Sequence, residues 1–155
     1  MIAVRDYKIF WDYVATQITE ITKVFIVDDE TELQKKIADI EDMCVFLVAV
    51  IPFSDLNASD EDNLGDIDTC VVYLLQKIDS GNQNDEDIMN ERALTQETMN
   101  KIRRLMLDLE NQCDVSVQTR LMKQVIRGKQ HIDRERNYLG CNGYSLSFGI
   151  KTNGI

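Results

Sequence analysis

The chain has 155 residues, enough to bury the core of one domain, and it carries a formal net charge of −10. That acidity disfavours non-specific binding to DNA and to membranes, and no apolar run approaches the roughly 18 residues that a membrane-spanning helix needs. The N-terminal residues lack the apolar core of a signal peptide, so we expect a protein that is made in the cytoplasm.

The first 40 residues predict two helices separated by a short extended segment. Residues 3–20 place apolar side chains at three- and four-residue steps, which is typical of one face of a helix. Residues 23–27 predict a short strand or an extended connector. Asp29, with Glu32 three residues later, predicts the start of the second helix. The apolar stripe of that helix is Leu33, Ile37 and Ile40.

Two apolar runs predict the centre of a sheet. Residues 43–51 are apolar on both faces and predict a doubly covered strand that Pro52 ends, because proline cannot donate to a strand ladder. Residues 70–75 predict a second such strand. Polar residues 54–66 connect the two, and a second polar loop is expected from residue 79 to residue 90.

The C-terminal half predicts a long helix and a hairpin. Thr95 is the expected cap of a helix that runs to about Gln112, whereas residues 115–126 fit either a strand or a short helix. Residues 144–150 alternate between apolar and small or polar side chains, as in a half-buried strand, and residues 132–138 are its expected partner across the turn 140–143.

This order of elements predicts a single α+β domain spanning residues 1–155. We expect a small mixed or antiparallel sheet with two long hairpins, packed against two to three helices. Its acidic loops are expected at residues 54–66 and 79–91.

Charge is distributed very unevenly along the sequence. Residues 55–91 contain eleven acidic side chains and one basic one, whereas the last 64 residues contain six acidic and eleven basic ones. Segments of opposite charge on one chain favour a head-to-tail contact between copies. Such a contact closes into a ring if the rotation between neighbouring copies allows. The candidate interface residues are Asp55, Asp60, Glu61, Asp62, Asp66, Asp85, Glu86, Asp87, Arg120, Lys123, Arg127, Lys129, Arg134 and Arg136.

No catalytic, cofactor-binding or metal-binding motif stands out. Residues 55–66 resemble an EF-hand calcium loop in part, but Asp60 stands where the sharp turn requires glycine and Asp66 where a bidentate glutamate is needed. His131 and Cys141 are the one pair that could serve nucleophilic catalysis, and a structural role is the expected one for both. We therefore predict a protein that is not an enzyme and needs no cofactor.

The basic residues of segment 120–136 could also contact nucleic acid. Few aromatic residues lie among them, Tyr138 and Tyr144 being the nearest, so base stacking has little support. A contact with the acidic region of another copy is the preferred interpretation, although a ring around DNA could combine both.

The layout resembles the tail-terminator and head–tail completion proteins of tailed bacteriophages. The resemblance covers most of the chain as an order of elements: a helix, a long apolar hairpin with a protruding loop, a central helix, and a C-terminal hairpin that ends in residues 143–150. It implies a ring-forming structural protein of the virion neck or tail, made in the host cytoplasm, whose partners are its own copies and neighbouring phage proteins. The alternative is a small acidic inhibitor or adaptor that binds a basic host protein.

Overall fold

The computed structural model describes residues 1–57, 65–78 and 84–153. Within these ranges, five strands form one mixed sheet and four α-helices pack on it, which confirms the α+β class. The helices are α1 (Val4–Gln17), α2 (Glu30–Ile37), α3 (Asp85–Asn111) and α4 (Val117–Lys123). The strands are β1 (Lys23–Val27), β2 (Val45–Asn57), β3 (Gly65–Lys77), β4 (His131–Tyr138) and β5 (Cys141–Asn153).

The strand order in the sheet is β1-β2-β3-β5-β4, so β1 and β4 are its edges in the described chain. β1 runs parallel to β2, and every other pair is antiparallel. The two predicted hairpins, β2–β3 and β4–β5, are therefore present. Residues 23–27, expected as a strand or a connector, form a strand because their backbone pairs with residues 46–50.

One face of the sheet carries the larger core. Helices α1, α3 and α4 pack there on alternate residues of β2, β3 and β5. Trp11 is fully buried, with its ring centroid 4.8 Å from that of Phe10 and 6.3 Å from that of Phe148. The apolar stripe predicted for α1 is thus the face that this core buries. Burying each such aromatic side chain contributes about 1.5–3 kcal/mol to folding.

The opposite face carries a smaller core under α2. Leu33 and Ile37 of this helix pack against Phe46 and Val48 of β2. Asp29 caps α2 as predicted, since its Oδ1 accepts from the Glu32 backbone N–H at 2.8 Å. Glu32 accepts in return from the N–H of Asp28 at 3.0 Å. Because α2 has only eight residues, it is about 12 Å long and covers part of the face.

The prediction that β2 ends at Pro52 is wrong. β2 continues to Asn57 through a register shift between Val50 and Phe53, where two residues of β2 stand opposite one residue of β3. A bulge of this kind accommodates proline, because the bulged residue is not required to donate to the ladder. Residues 54–57 and 65–66, predicted as loop, consequently belong to paired strands.

The start of the long helix was also predicted wrongly. α3 begins at Asp85, ten residues before Thr95, and Asn84 is its cap. The Asn84 side chain accepts from the Asp87 N–H at 2.9 Å, and the Asp87 carboxylate accepts from the Asn84 N–H at 3.3 Å. Residues 85–90 are therefore helical and not part of the predicted second loop. Thr95 is buried inside α3, where its hydroxyl donates to the Glu91 carbonyl oxygen at 3.0 Å.

The ambiguous segment 115–126 forms the short helix α4, capped by Ser116, followed by one bridge between Val125 and Ile150. The turn of the C-terminal hairpin lies at Leu139 and Gly140, one residue before the predicted turn 140–143 begins. Both have positive φ, 53° and 77°, as a two-residue hairpin turn of type I′ requires.

Candidate functional site

The basic segment predicted from the sequence follows one side of the sheet. Beyond α4, the Ile126 N–H donates to the Gly149 carbonyl oxygen at 2.8 Å, and the Lys151 N–H donates to the Gln124 carbonyl oxygen at 2.9 Å. Segment 124–126 thus lies along the last part of β5, and β4 lies along its first part. All six predicted basic residues therefore belong to elements at or next to this edge. We call Lys123, Lys129, Arg134 and Arg136 the basic edge.

Two of the six cations serve the fold. Arg120 donates to Asp6 at 3.1 Å and so links α4 to α1. Arg127 contacts Glu110 through Nε at 2.8 Å and Nη2 at 2.7 Å, which links the turn at residues 127–129 to α3. Both guanidinium groups are exposed, and such surface pairs contribute only about 0–1 kcal/mol each.

The four residues of the basic edge are exposed and make no ion pair with any residue in the described ranges. Arg134 points to the same sheet face as Tyr144, its partner in the ladder. Arg136 lies in the bulge that separates Glu135 from Tyr138. Lys129, Arg134 and Arg136 are therefore available to a carboxylate on another molecule. Lys123 also interacts with the Asp114 carboxylate, whose pKa is lowered mainly by hydrogen bonds from Thr119 and Ser116 and to a smaller extent by Lys123.

Five of the eight predicted acidic residues belong to the described part of the chain. Asp60, Glu61 and Asp62 lie outside the described residues, as do residues 79–83 of the predicted loop 79–91. Asp55 belongs to β2 opposite Ile67, and the Asp66 carboxylate accepts from the Met1 amino group at 3.3 Å. The EF-hand interpretation therefore places its first and twelfth positions on paired antiparallel strands.

Asp85, Glu86 and Asp87 form the first turn of α3. Carboxylates at this place stabilise a helix by interacting with its positive N-terminal dipole. Asp87 also completes the capping box, so a local structural role accounts for it. Asp85 and Glu86 are exposed and available to a partner.

One buried carboxylate was not predicted as a functional or structural site. Asp68 has no exposed surface, and its oxygens accept from the Ile2 backbone N–H at 2.6 Å, from Thr152 Oγ1 at 3.3 Å and from the Ser54 hydroxyl. It thereby fixes the segment before α1 to the ends of β2, β3 and β5. An aspartate directly before an apolar strand run is the signal that could have identified it.

A second unpredicted cluster lies on the α2 face of the sheet. The rings of Tyr73 and Tyr138 stack with their centroids 5.0 Å apart and an angle of 9° between planes. Glu135 stands beside them and accepts from Ser145 Oγ at 2.7 Å. Burial, then Tyr73, then Glu30 raise the pKa of Tyr138 to about 12, and burial followed by Glu135 raises the pKa of Tyr73.

His131 and Cys141 are not brought together. His131 stands opposite Ser147 and contacts Asp133 at 3.0 Å, whereas Cys141 stands opposite Tyr138 at the other end of β4. Six residue steps along β5, from Ser147 to Cys141, separate the two positions, which corresponds to about 20 Å. Cys141 is buried, and burial raises the pKa of its thiol to about 11, so the reactive thiolate is disfavoured.

Metal binding and membrane spanning have no candidate among the described residues. No group of three or more His, Cys, Asp or Glu side chains in this part of the chain is arranged to hold a metal ion. Within the same ranges, no helix is both long enough and apolar enough to cross a membrane.

Comparison with known proteins identifies no relative. No protein-family model, no curated protein and no solved structure matches the chain. Inference about function therefore depends on the surfaces described above.

Proposed function

We propose that this chain is a non-catalytic structural protein that assembles with copies of itself into a ring, in the neck or tail of a tailed bacteriophage. The observation that carries the proposal is the basic edge, whose four exposed cations have no ion-pair partner in the described chain. The acidic surface of a neighbouring copy would supply the missing carboxylates. The phage setting is proposed from the order of elements, and the virion is the location that it implies.

The sheet supports a head-to-tail arrangement. β1 and β4 are opposite edges, and their compositions differ: β1 is mostly apolar, whereas β4 carries charged residues at five of its eight positions if His131 is counted. Pairing β4 with β4 of a second copy, about Arg134, would place Asp133 opposite Glu135 and Arg134 opposite itself. Like charges at opposite positions destabilise a strand pair. A contact between two different surfaces is therefore favoured, and such contacts generate rings.

The test is the mass of the purified chain, measured by light scattering at low and high salt. We expect a multi-subunit particle at low salt and dissociation at high salt, since exposed charge pairs are screened beyond about 8–10 Å at physiological ionic strength. Replacing Arg134 and Arg136 by Glu should prevent assembly. The matched control replaces Arg5 and Lys8 of α1 by Glu. Both residues are exposed, and their replacement changes the net charge by the same amount.

A particle that is a monomer at every salt concentration would contradict the proposal and would favour the acidic inhibitor or adaptor. A particle that resists both salt and the Arg134/Arg136 reversal would show that the basic edge does not hold it.

A further inference from the structure

The α2 face of the sheet is only partly covered in the described chain. α2 is about 12 Å long, whereas the 13-residue strands β2, β3 and β5 each extend for about 40 Å. The core under α2 includes Leu75 of β3 and Cys141 of β5, and Val50 and Tyr73 pack against it. We call the surface beside this core the open face; it is formed by Phe53, Val71, Ser145 and Ser147 together with the half-buried Val50 and Tyr73.

The open face is unusually apolar for an uncovered surface. Phe53 is 56% exposed, and Val50 and Val71 are half-buried. β2 and β3 are apolar on both faces, a pattern typical of strands that are covered on both sides. On β5 the corresponding positions are the small residues Ser145 and Ser147. A contiguous apolar surface of this kind marks an interaction site.

The charges beside the open face are acidic at the end near the tyrosine pair. Glu135 and Asp133 project from β4 on this face, and Glu30 begins α2. Two cations on this face are engaged elsewhere: Lys77 donates to the Ile40 carbonyl oxygen at 2.9 Å, and Lys36 lies over the Phe25 ring. Lys129 lies beside Gly149 at the other end of the face. Burial is the largest cause of the raised pKa of Tyr73 and Tyr138, and Glu135 and Glu30 raise it further. An apolar partner with cations is therefore the best match.

The same chain presents such a surface on α3. Its buried stripe packs into the larger core, while Arg103, Arg104 and Leu107 are exposed on the other side. Leu107 is 51% exposed, and it lies one helical turn beyond the two arginines. Neither arginine makes an ion pair with another described residue. An exposed leucine beside two guanidinium groups complements an apolar surface beside carboxylates.

We propose that a second copy of this chain docks the exposed side of α3, through Arg103, Arg104 and Leu107, on the open face. The contact is head-to-tail, because α3 and the open face lie on opposite sides of the sheet. It rests on the proposed self-assembly and adds an apolar contact to the charge contact of the basic edge. Stable interfaces bury about 1,200–2,000 Å² around a dehydrated centre, which surface charge pairs alone do not provide.

The test is a charge swap between two variants of the full chain. One variant carries Glu30→Lys and Glu135→Lys, and the other carries Arg103→Glu and Arg104→Glu. We expect each alone to associate at least about tenfold more weakly than the wild type, as measured by sedimentation. An equimolar mixture should recover most of the association, because each contact between one variant and the other pairs opposite charges.

A control variant with Asp39→Lys and Glu41→Lys changes two exposed carboxylates after α2 and should associate like the wild type. Leu107→Glu tests the apolar part at an exposed helical position, where loss of folding is not expected, and it should also weaken association. Circular dichroism of each variant verifies the fold.

The outcomes separate this inference from the proposed function. A wild type that never associates contradicts both. A wild type that associates, together with charge-swap and Leu107 variants that associate equally well, overturns the α3 contact and leaves the basic edge in place. Variants that are weakened singly and remain weakened when mixed also overturn the α3 contact.

Discussion

At the scale of single residues, Gly143 shows a constraint that the sequence pattern did not reveal. The pattern assigned this glycine to a turn, but it lies within β5 opposite Leu75. A Cβ atom added to it would lie 1.9 Å from the Leu74 carbonyl oxygen, which is backbone and cannot move aside. Glycine is therefore required by the close approach of β3 and β5.

We expect Gly143→Ala to lower the free energy of unfolding by about 2–4 kcal/mol, because the strands must separate to admit the methyl group. Urea denaturation followed by the fluorescence of Trp11 measures the change. Gly128→Ala is the matched control: a Cβ there meets nothing within 4 Å, and the expected effect is within about 0.5 kcal/mol. Equal effects of the two substitutions would contradict the constraint.

Asp68 shows why burial was predicted better for apolar residues than for polar ones. Its carboxylate is buried because Ile2, Ser54 and Thr152 all donate to it, and these residues are far apart in sequence. A sequence pattern identifies a stripe of Leu or Ile by its period. It does not identify donors that converge from three elements.

At the scale of elements, the helix starts depend on local hydrogen bonds that can be tested. Asp29 was recognised as a cap because Glu32 follows at the spacing of a capping box. Asn84 was missed because its partner is Asp87, a weaker signal than glutamate, and because Thr95 offered an alternative before a clearer apolar stripe. Tertiary burial of Glu91 and Thr95 shows that the helix extends well upstream of that stripe.

Asn84→Ala is expected to cost about 1 kcal/mol of stability, because the Asp87 backbone N–H at the start of α3 loses the side-chain oxygen to which it donates. Thermal unfolding followed by circular dichroism measures this loss. Gln96→Ala, at an exposed position inside α3, should change stability by less than about 0.5 kcal/mol. An Asn84→Ala variant as stable as the wild type would mean that the first turns of α3 contribute little.

The strands were predicted at their centres and missed at their ends. Periodicity identified residues 43–51, 70–75 and 144–150, where side chains are apolar and buried. The polar extensions of β2 and β3 toward Asn57 and Gly65 follow only from the ladder that pairs them. Strand pairing satisfies backbone groups whatever the side chains are, so it leaves no apolar pattern.

At the scale of the whole molecule, buried phenols and thiols couple stability to alkaline pH. The fold raises the pKa of Tyr138 from 10.0 to about 12 and that of Cys70 from 9.0 to about 12. Both groups are thus kept protonated in the folded state at a pH where the unfolded chain releases the proton. This contribution to stability is complete when the pH is below the pKa of the group in the unfolded chain. It declines as the pH rises toward the pKa of the same group in the folded protein.

We therefore expect the free energy of unfolding to fall between pH 9.0 and about pH 12, as measured by urea denaturation at several pH values. In Tyr138→Phe the fall should be smaller, because one of the coupled groups is gone. Ultraviolet absorbance of tyrosinate should show that part of the tyrosine population ionises late in the native protein. Ionisation of all tyrosines together near pH 10.0 would contradict the prediction.

The sequence by itself determined the α+β class, the two hairpins and the separation of acidic from basic segments, because hydrophobic period and charge are local properties of the chain. Only the tertiary structure decided which surfaces stay uncovered. Among the described residues, the basic edge exists because β4 is the last strand of the sheet, and the open face exists because α2 is too short to cover it. Strand order and helix coverage arise from contacts between distant residues, and no local pattern specifies them.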